Sequence, residues 1–318
     1  MPKEATHWIA AQRTASRLKG TKCGDAAERC PFALQLGAVF PDLPYYLAGS
    51  DSLAREAALL GNRYHGEKGE DTYELLRAIM LSIRDEDSLA HRAFLVGVAS
   101  HLCLDAHFHP LVYFETGNYY DPVPARRTVA IRNHRRFEGL LDVVLCGSIR
   151  KAREYRAGQI WKQVETPIFP LLEWAARHQK GPNVLAILKA ANVAFLKAQN
   201  LFVRPLASGL ARVVEPFLSP KLRELTALFY RNPTASQWEQ LKKPFEYRNP
   251  VSGTFHKASI DELFNQGVEA SAELCRHMER AIGDGTFDLQ GPSLNFGLVG
   301  AAVSQARHFA DPPFFEDA

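Results

Sequence analysis

Nowhere in these 318 residues does an apolar run approach the roughly eighteen needed to span a bilayer, so no membrane-spanning helix is expected and contact with lipid should be peripheral. No secretory leader is expected either. The chain starts MPKEATHWIAAQRTA, charged and interrupted by a histidine where a leader needs about seven or more unbroken apolar residues, so a cytoplasmic protein is expected. Cysteine is scarce: Cys23, Cys30, Cys103, Cys146 and Cys275 are odd in number and lack an export signal, which favours free thiols over a disulfide framework. Cys23 and Cys30 could share a metal, but their spacing is not CxxC and no second pair follows. Excess charge is lacking too. With 38 Lys and Arg against 35 Asp and Glu, a net +3 excludes a protein whose main business is coating nucleic acid or an anionic membrane.

Alternating apolar runs are also scarce, and neither an internal repeat nor a low-complexity tract is present. Apolar residues instead recur at helical spacing, as in DTYELLRAIMLSIR from Asp71 to Arg84, and 46% hydrophobic content is ample for a packed core. The fold class is all-α. Helices are predicted at about 5–19, 51–60, 70–84, 88–108, 128–153, 158–178, 183–215, 219–230, 259–282 and 293–310, with Asp87 and Ser88 as N-caps of the helix richest in histidine. Breakers cluster at 40–44, 117–124, 181–182, 232–233 and 244–253, none long enough to be a flexible linker. One compact domain over 1–318 is therefore expected.

Seven of the eleven histidines (His7, His65, His91, His101, His107, His109 and His134) fall within the first 134 residues, and this concentration needs a cause. In LVGVASHLCLDAHFHP, His101 and Asp105 are four apart, so a helix presents imidazole and carboxylate on one face, with His109 a further turn along. NHRRFEGLLD repeats the device with His134 and Glu138. One such pair is more often a surface pair than a ligand set; two of them, joined by His7, Asp42 and His65 in apolar surroundings, suit more than one zinc ion. His91, His178, His256, His277 and His308 lack partner spacing, and Asp142, one turn past Glu138, reads as support or a helix pair. Residues 126–156 hold nine Lys or Arg against three Asp or Glu, including Arg126, Arg127, Arg132, Arg135 and Arg136, and read either as an attractor for anions or as solvated helix faces.

THWIA at 6–10, GAVFPD at 37–42, HG at 65, HxxxDxxxHP at 101–110 and HxxxE at 134–138 occur in the order seen in bacterial zinc-dependent phospholipases C, and the chain resembles the wider family rather than its secreted toxins. The segment from Trp238 to Phe264, with NPVSG, is similar to the family's less diagnostic second half. The resemblance implies an all-helical fold shared with fungal single-strand-specific nucleases, with a metal-ligand half at 1–150 and a packing and pocket half at 151–318. It further implies two to three zinc ions: one held by Asp42, His65, His101 and Asp105, a second by His109, His134 and Glu138, and a third at His7 bridged by Asp105. Asp42 is the implied general base. His109 is taken over His107 because it precedes the proline and because His107 lies off the Asp105 face of the helix.

Two departures stand out. The mature N-terminal tryptophan that completes the third site in secreted members is absent, leaving a Pro2 amine or Glu4 as alternatives, and the segment between Asp105 and the next histidine ligand is shorter. The expected function is a zinc-dependent phosphoric ester hydrolase, a phosphodiesterase taking a phosphodiester with a small, phospholipid-type head group. The alternatives are a single-strand nuclease-like phosphodiesterase, with nucleic acid the less favoured substrate, and a non-catalytic protein that keeps metal for stability.

Overall fold

A computed structural model describes residues 3–80, 83, 89–160, 168–284, 286–311 and 313–315. The chain opens with α1 (Glu4–Arg17), α2 (Lys22–Arg29), α3 (Pro31–Val39) and a 3-10 turn, Phe40–Tyr46. Next come α4 (Ser52–Tyr64), α5 (Glu74–Met80), α6 (Leu89–Thr116), α7 (Pro124–Leu145), α8 (Ile149–Ala152), α9 (Ala157–Ile160) and α10 (Ile168–Arg177). The later part holds α11 (Val184–Phe202), α12 (Pro205–Val214), α13 (Pro220–Thr226), α14 (Ala235–Leu241) and α15 (Ile260–Asp284). One antiparallel hairpin, β1 (Phe245–Arg248) and β2 (Phe255–Ala258), pairs Phe245 with Ala258 and closes through NPVSG. The fold is all-α.

Every residue of α6 from Arg92 to Asp105 is buried, as expected of a helix that is apolar on all sides. Around it pack α1, α2, α3, α7 and α15. The α3 crossing is the tightest. A Cβ on Gly97 would stand 2.1 Å from the Leu34 carbonyl oxygen, and one on Gly37 2.2 Å from that of Phe94, so only glycine lets the two backbones touch. This contact brings the end of α3, and the Asp42 turn after it, against the histidine-bearing stretch of α6.

Several predicted boundaries move. The helix expected to stop at 108 runs to Thr116, because Pro110 removes only one N–H and packing holds the rest. The Ala106 carbonyl that Pro110 cannot bond faces Gly297. The single helix at 183–215 breaks at Arg204–Pro205, where Arg204 is extended with ψ 124°, and the one at 128–153 ends before Gly147, whose φ is +75°. No α-helix forms at 293–310, only a short 3-10 turn at Val303–Gln305. That segment is a strap with glycines of positive φ at 297 and 300, bonded by its backbone to the residues around His65: Leu294 N–H donates to the His65 carbonyl (3.0 Å) and Val303 N–H to that of Glu67 (2.8 Å). Its apolar spacing marks anchors, Leu294, Phe296 and Ala301, which are buried. The two short helices between 19 and 51 went unread. Asp87 and Ser88, and parts of the helices expected at 70–84, 88–108 and 158–178, lie outside the described residues.

Among the described helices, α11 alone is long and apolar enough by composition to cross a bilayer. It buries Ile187, Leu188, Ala191 and Phe195, and packs on the 3-10 turn and α10.

Candidate metal centre

Five elements deliver the singled-out side chains to one place. His101, Asp105 and His109 descend one face of α6, and His134 and Glu138 one face of α7. His7 comes from α1, Asp42 from the 3-10 turn, and His65 from the residue that ends α4. All eight are buried. The Asp42 side chain, 10% exposed, is the most open to solvent of its group, against 3% for His65 and none for His101 and Asp105.

Backbone carbonyls fix the rings. Nδ1–H of His101 donates to the Ala38 carbonyl (2.8 Å), that of His65 to Gly61 (2.8 Å) and that of His109 to Leu294 (3.0 Å). In the neutral ring each bond selects the tautomer whose Nε2 carries a lone pair, and each Nε2 turns inward. Nε2 of His7, His101 and His109, Oδ1 of Asp42 and both oxygens of Asp105 are buried without a hydrogen-bond partner among the described residues. Such a loss is tolerated in a folded protein only where something else satisfies the atoms.

Their spacing says what. Asp42 Oδ1 is 3.2 Å from His65 Nε2 and 3.6 Å from His101 Nε2, while Asp105 Oδ2 is 3.2 Å from His101 Nε2 and 3.8 Å from His65 Nε2. Donors about 2.0–2.1 Å from a tetrahedral zinc stand about 3.3–3.4 Å apart. Asp42, His65, His101 and Asp105 therefore form one group that could hold an ion, and His109, His134 and Glu138 form another. Asp105 also reaches beyond the first group: its Oδ1 lies 3.3 Å from His7 Nε2 and 3.8 Å from His109 Nε2. His7 stacks on His101 with ring centroids 4.0 Å apart but is gathered into neither group. Of the residues offered to complete its site, Glu4 accepts the Tyr46 hydroxyl, and Pro2 lies outside the described residues.

Charge among these side chains is strongly redistributed. Burial opposes a charged His101, but the Asp42 and Asp105 carboxylates outweigh it and hold the imidazole up at about 9. Burial would also raise Asp105; His109, His101 and His7 instead keep it far below the usual carboxylate range. His7 is pushed down to about 3 by burial and by neighbouring His101, and burial depresses His109 and His134. The cluster thus confines cations and anions that only a shared metal or protons can reconcile.

Asp142 is a support. It accepts the Thr6 N–H (2.9 Å) and hydroxyl (2.6 Å), the Ala5 N–H (3.3 Å) and the Tyr230 hydroxyl, so a carboxylate on α7 caps the helix that carries His7. Burial and nearby Glu4 nevertheless lift it to about 6.

Sequence reasoning missed an aromatic wall. Tyr113, Tyr119 and His134 are in ring contact, with centroids 4.8–5.1 Å from the imidazole, and Tyr45 packs on His65 at 5.2 Å. Tyr120 donates to Glu67 (2.7 Å), whose carboxyl burial raises above its ordinary range, and Tyr113 donates to Asn295 (3.0 Å). The one local signal was NYY at 118–120, inside a segment read as a breaker.

The basic stretch divides. Arg135 donates to the Glu224 carbonyl (2.9 Å), Arg136 is ion-paired with Glu215 (2.6 Å), and Arg126 lies exposed beside Asp121. His107 turns away from the cluster, donates to the Cys103 carbonyl (2.7 Å) and lines a separate groove of about 580 Å³ with Arg276, His277 and Arg280. Cys23 and Cys30 are free thiols, Cys23 packing beside Glu279 and pushed up to about 12 by burial. Of the unpaired-looking histidines, His91 stacks on Trp174 and His256 on Tyr247.

Compared with known families, the chain matches zinc dependent phospholipase C over residues 6–183, more than half its length. No curated protein and no solved structure gives a significant match.

Proposed function

The chain belongs to the zinc dependent phospholipase C family, and from that premise we propose that it is a zinc-dependent hydrolase of phosphodiesters with a small polar head group. The observation that carries the reading is that Nε2 of His7 and His101, Oδ1 of Asp42 and both oxygens of Asp105 are buried, inward-facing and without hydrogen-bond partners among the described residues, with imidazole and carboxylate atoms 3.2–3.6 Å apart. We assign one ion to Asp42, His65, His101 and Asp105, a second to His109, His134 and Glu138, and a third, weaker one to His7 with bridging Asp105. When bound, zinc acidifies water towards neutrality and neutralises phosphate oxygens.

The chain's own residues do the rest. Asp42 is the candidate general base: it sits on a turn rather than on the α6 or α7 ligand faces, is the residue of its group most open to water, and can take a proton on its carboxylate. The carbonyls of Ala38, Gly61 and Leu294 keep three imidazoles from turning, so little reorganisation accompanies the reaction. Near His134, Tyr120 stacks on Tyr113, packs tilted against Tyr119 and donates to Glu67. A half-buried carboxylate among π faces suits a small cationic head group better than the open stacking platform a nucleobase needs.

The test is a panel of choline-phosphate, nucleotide and nitrophenyl diesters offered to zinc-loaded protein, with Asp42→Asn alongside. The expected result is turnover favouring the choline ester. In the variant most of the metal should remain while kcat falls about a hundredfold. Preference for nucleotides would move the protein to the nuclease-like reading. Failure of the zinc-loaded protein on every diester would leave a metal-stabilised fold without catalysis.

A further inference from the structure

α12 is amphipathic in the wrong direction for a helix that only packs. Ser208 and Ala211, with Glu215 just beyond, form its buried side, the Ser208 hydroxyl donating to the Tyr230 carbonyl (2.6 Å). The other side carries Leu206, Leu210 and Val213, and the following turn adds Phe217. Steps of four, three and four place them on one stripe, and they are 89%, 65%, 68% and 87% exposed. Leu222 and Leu225 of α13, each about half exposed, widen the patch. Lone surface leucines need no explanation; a continuous apolar stripe with a phenylalanine at its crest marks a surface that meets something other than water.

That crest is held. Arg223 donates through Nε to the Leu218 carbonyl (3.0 Å) and through Nη2 to that of Pro216 (2.8 Å), bracing the turn around Phe217. The base of the α12–α13 segment is fastened to α7: Arg136 to Glu215, and Arg135, the residue after His134, to the Glu224 carbonyl. The patch is therefore rigid and lies beside the helix that supplies His134 and Glu138.

Charge decides what it meets. Arg204, Arg212 and Lys221 are exposed around the stripe, and between 201 and 225 the two acidic residues are both held by arginines: Glu215, buried between Arg136 and Arg231, and Glu224, beside Arg135. A second copy docked by two-fold symmetry would bring these cations towards their own equivalents, whereas an anionic lipid surface complements them around an apolar centre. We propose that the outer face of α12 and α13 docks this protein on an anionic lipid surface, Leu206, Leu210, Val213 and Phe217 entering the headgroup boundary and the basic rim facing lipid phosphates. The apolar stripe and its rim are independent of the chemistry proposed above; the preference for lipid over another partner draws part of its weight from that reading.

Sedimentation of the zinc-loaded protein with vesicles of phosphatidylcholine alone, or mixed equally with phosphatidylglycerol, tests this. The expected result is binding that is stronger on the mixed vesicles and weakens with salt. Leu210→Glu combined with Phe217→Glu should reduce binding about tenfold or more, with melting temperature and hydrolysis of a soluble nitrophenyl diester unchanged. Arg212→Glu with Lys221→Glu should remove the advantage of the mixed vesicles. Absence of binding to either composition overturns the proposal. So does a dimer in solution that Leu210→Glu/Phe217→Glu dissolves, which would give the face to a second copy. Vesicle binding without any diester turnover upholds the docking surface and counts against the hydrolase reading alone; soluble turnover without vesicle binding does the reverse.

Discussion

At the scale of single residues, His101 sets the terms on which the site takes up metal. Held at about 9 by Asp42 and Asp105, its imidazole carries a proton at neutral pH in the metal-free protein, and zinc must expel that proton to reach Nε2. Loading at pH 7 should therefore release protons, and affinity should climb until pH passes about 9. Calorimetry of zinc binding in two buffers of different ionisation enthalpy checks this; identical heats in both would refute it. The sign for stability follows from the same shift. An unfolded histidine titrates near 6.5, so in the metal-free protein the pairing contributes fully below about pH 6.5 and is lost as pH rises through about 9.

At the scale of elements, the α3–α6 crossing is what places Asp42 and the Ala38 carbonyl against His101. Gly97→Ala would press a methyl onto the Leu34 carbonyl, a backbone atom that cannot swing aside as a side chain could. We expect a loss of about 3 kcal/mol in denaturant unfolding, and reduced zinc content in what remains folded. An alanine accepted without cost would show that the helices can separate and still hold the centre.

The same scale shows what the sequence could and could not reveal. His101/Asp105 and His134/Glu138 were legible because both partners sit on one helix, where spacing alone puts them on one face. The gathering of His7, Asp42 and His65 beside them was readable from motif order, not from any local periodicity. What stayed hidden is non-local: the Leu294 carbonyl that orients His109 across 185 positions, and Tyr119, which reaches His134 from the loop after α6. The strap at 293–310 was misread because anchors that pack on several elements can mimic a helical stripe. The short α2 and α3 escaped because helices of eight and nine residues show too little of the helical period to stand out, although Pro31 begins α3 at the position where a missing N–H costs nothing.

Across the whole molecule, metal and fold should stabilise one another. An ion present at a hundred times its dissociation constant adds about 2.7 kcal/mol to the folded state, so stripping the centre should lower the melting temperature by about 5 °C or more. The ions should not leave together. The two closed groups each present three or four converging donors, while His7 offers a single contact with Asp105, so the ion beside His7 should depart first in a chelator titration followed by elemental analysis. Simultaneous loss of every ion would mean that a further residue completes the His7 site.

The strap also gives the centre a place in the history of each molecule. The eight proposed ligands have all been synthesised by position 138, but the carbonyl that locks His109 belongs to Leu294. A growing chain thus carries a full set of donors long before the last of them is aimed, and any ion it captures then meets an imidazole still free to rotate. Assembly is finished from the far end: the segment that completes the centre contains no ligand, and a chain cut short before 290 would keep every proposed ligand yet lose the means of pointing one of them.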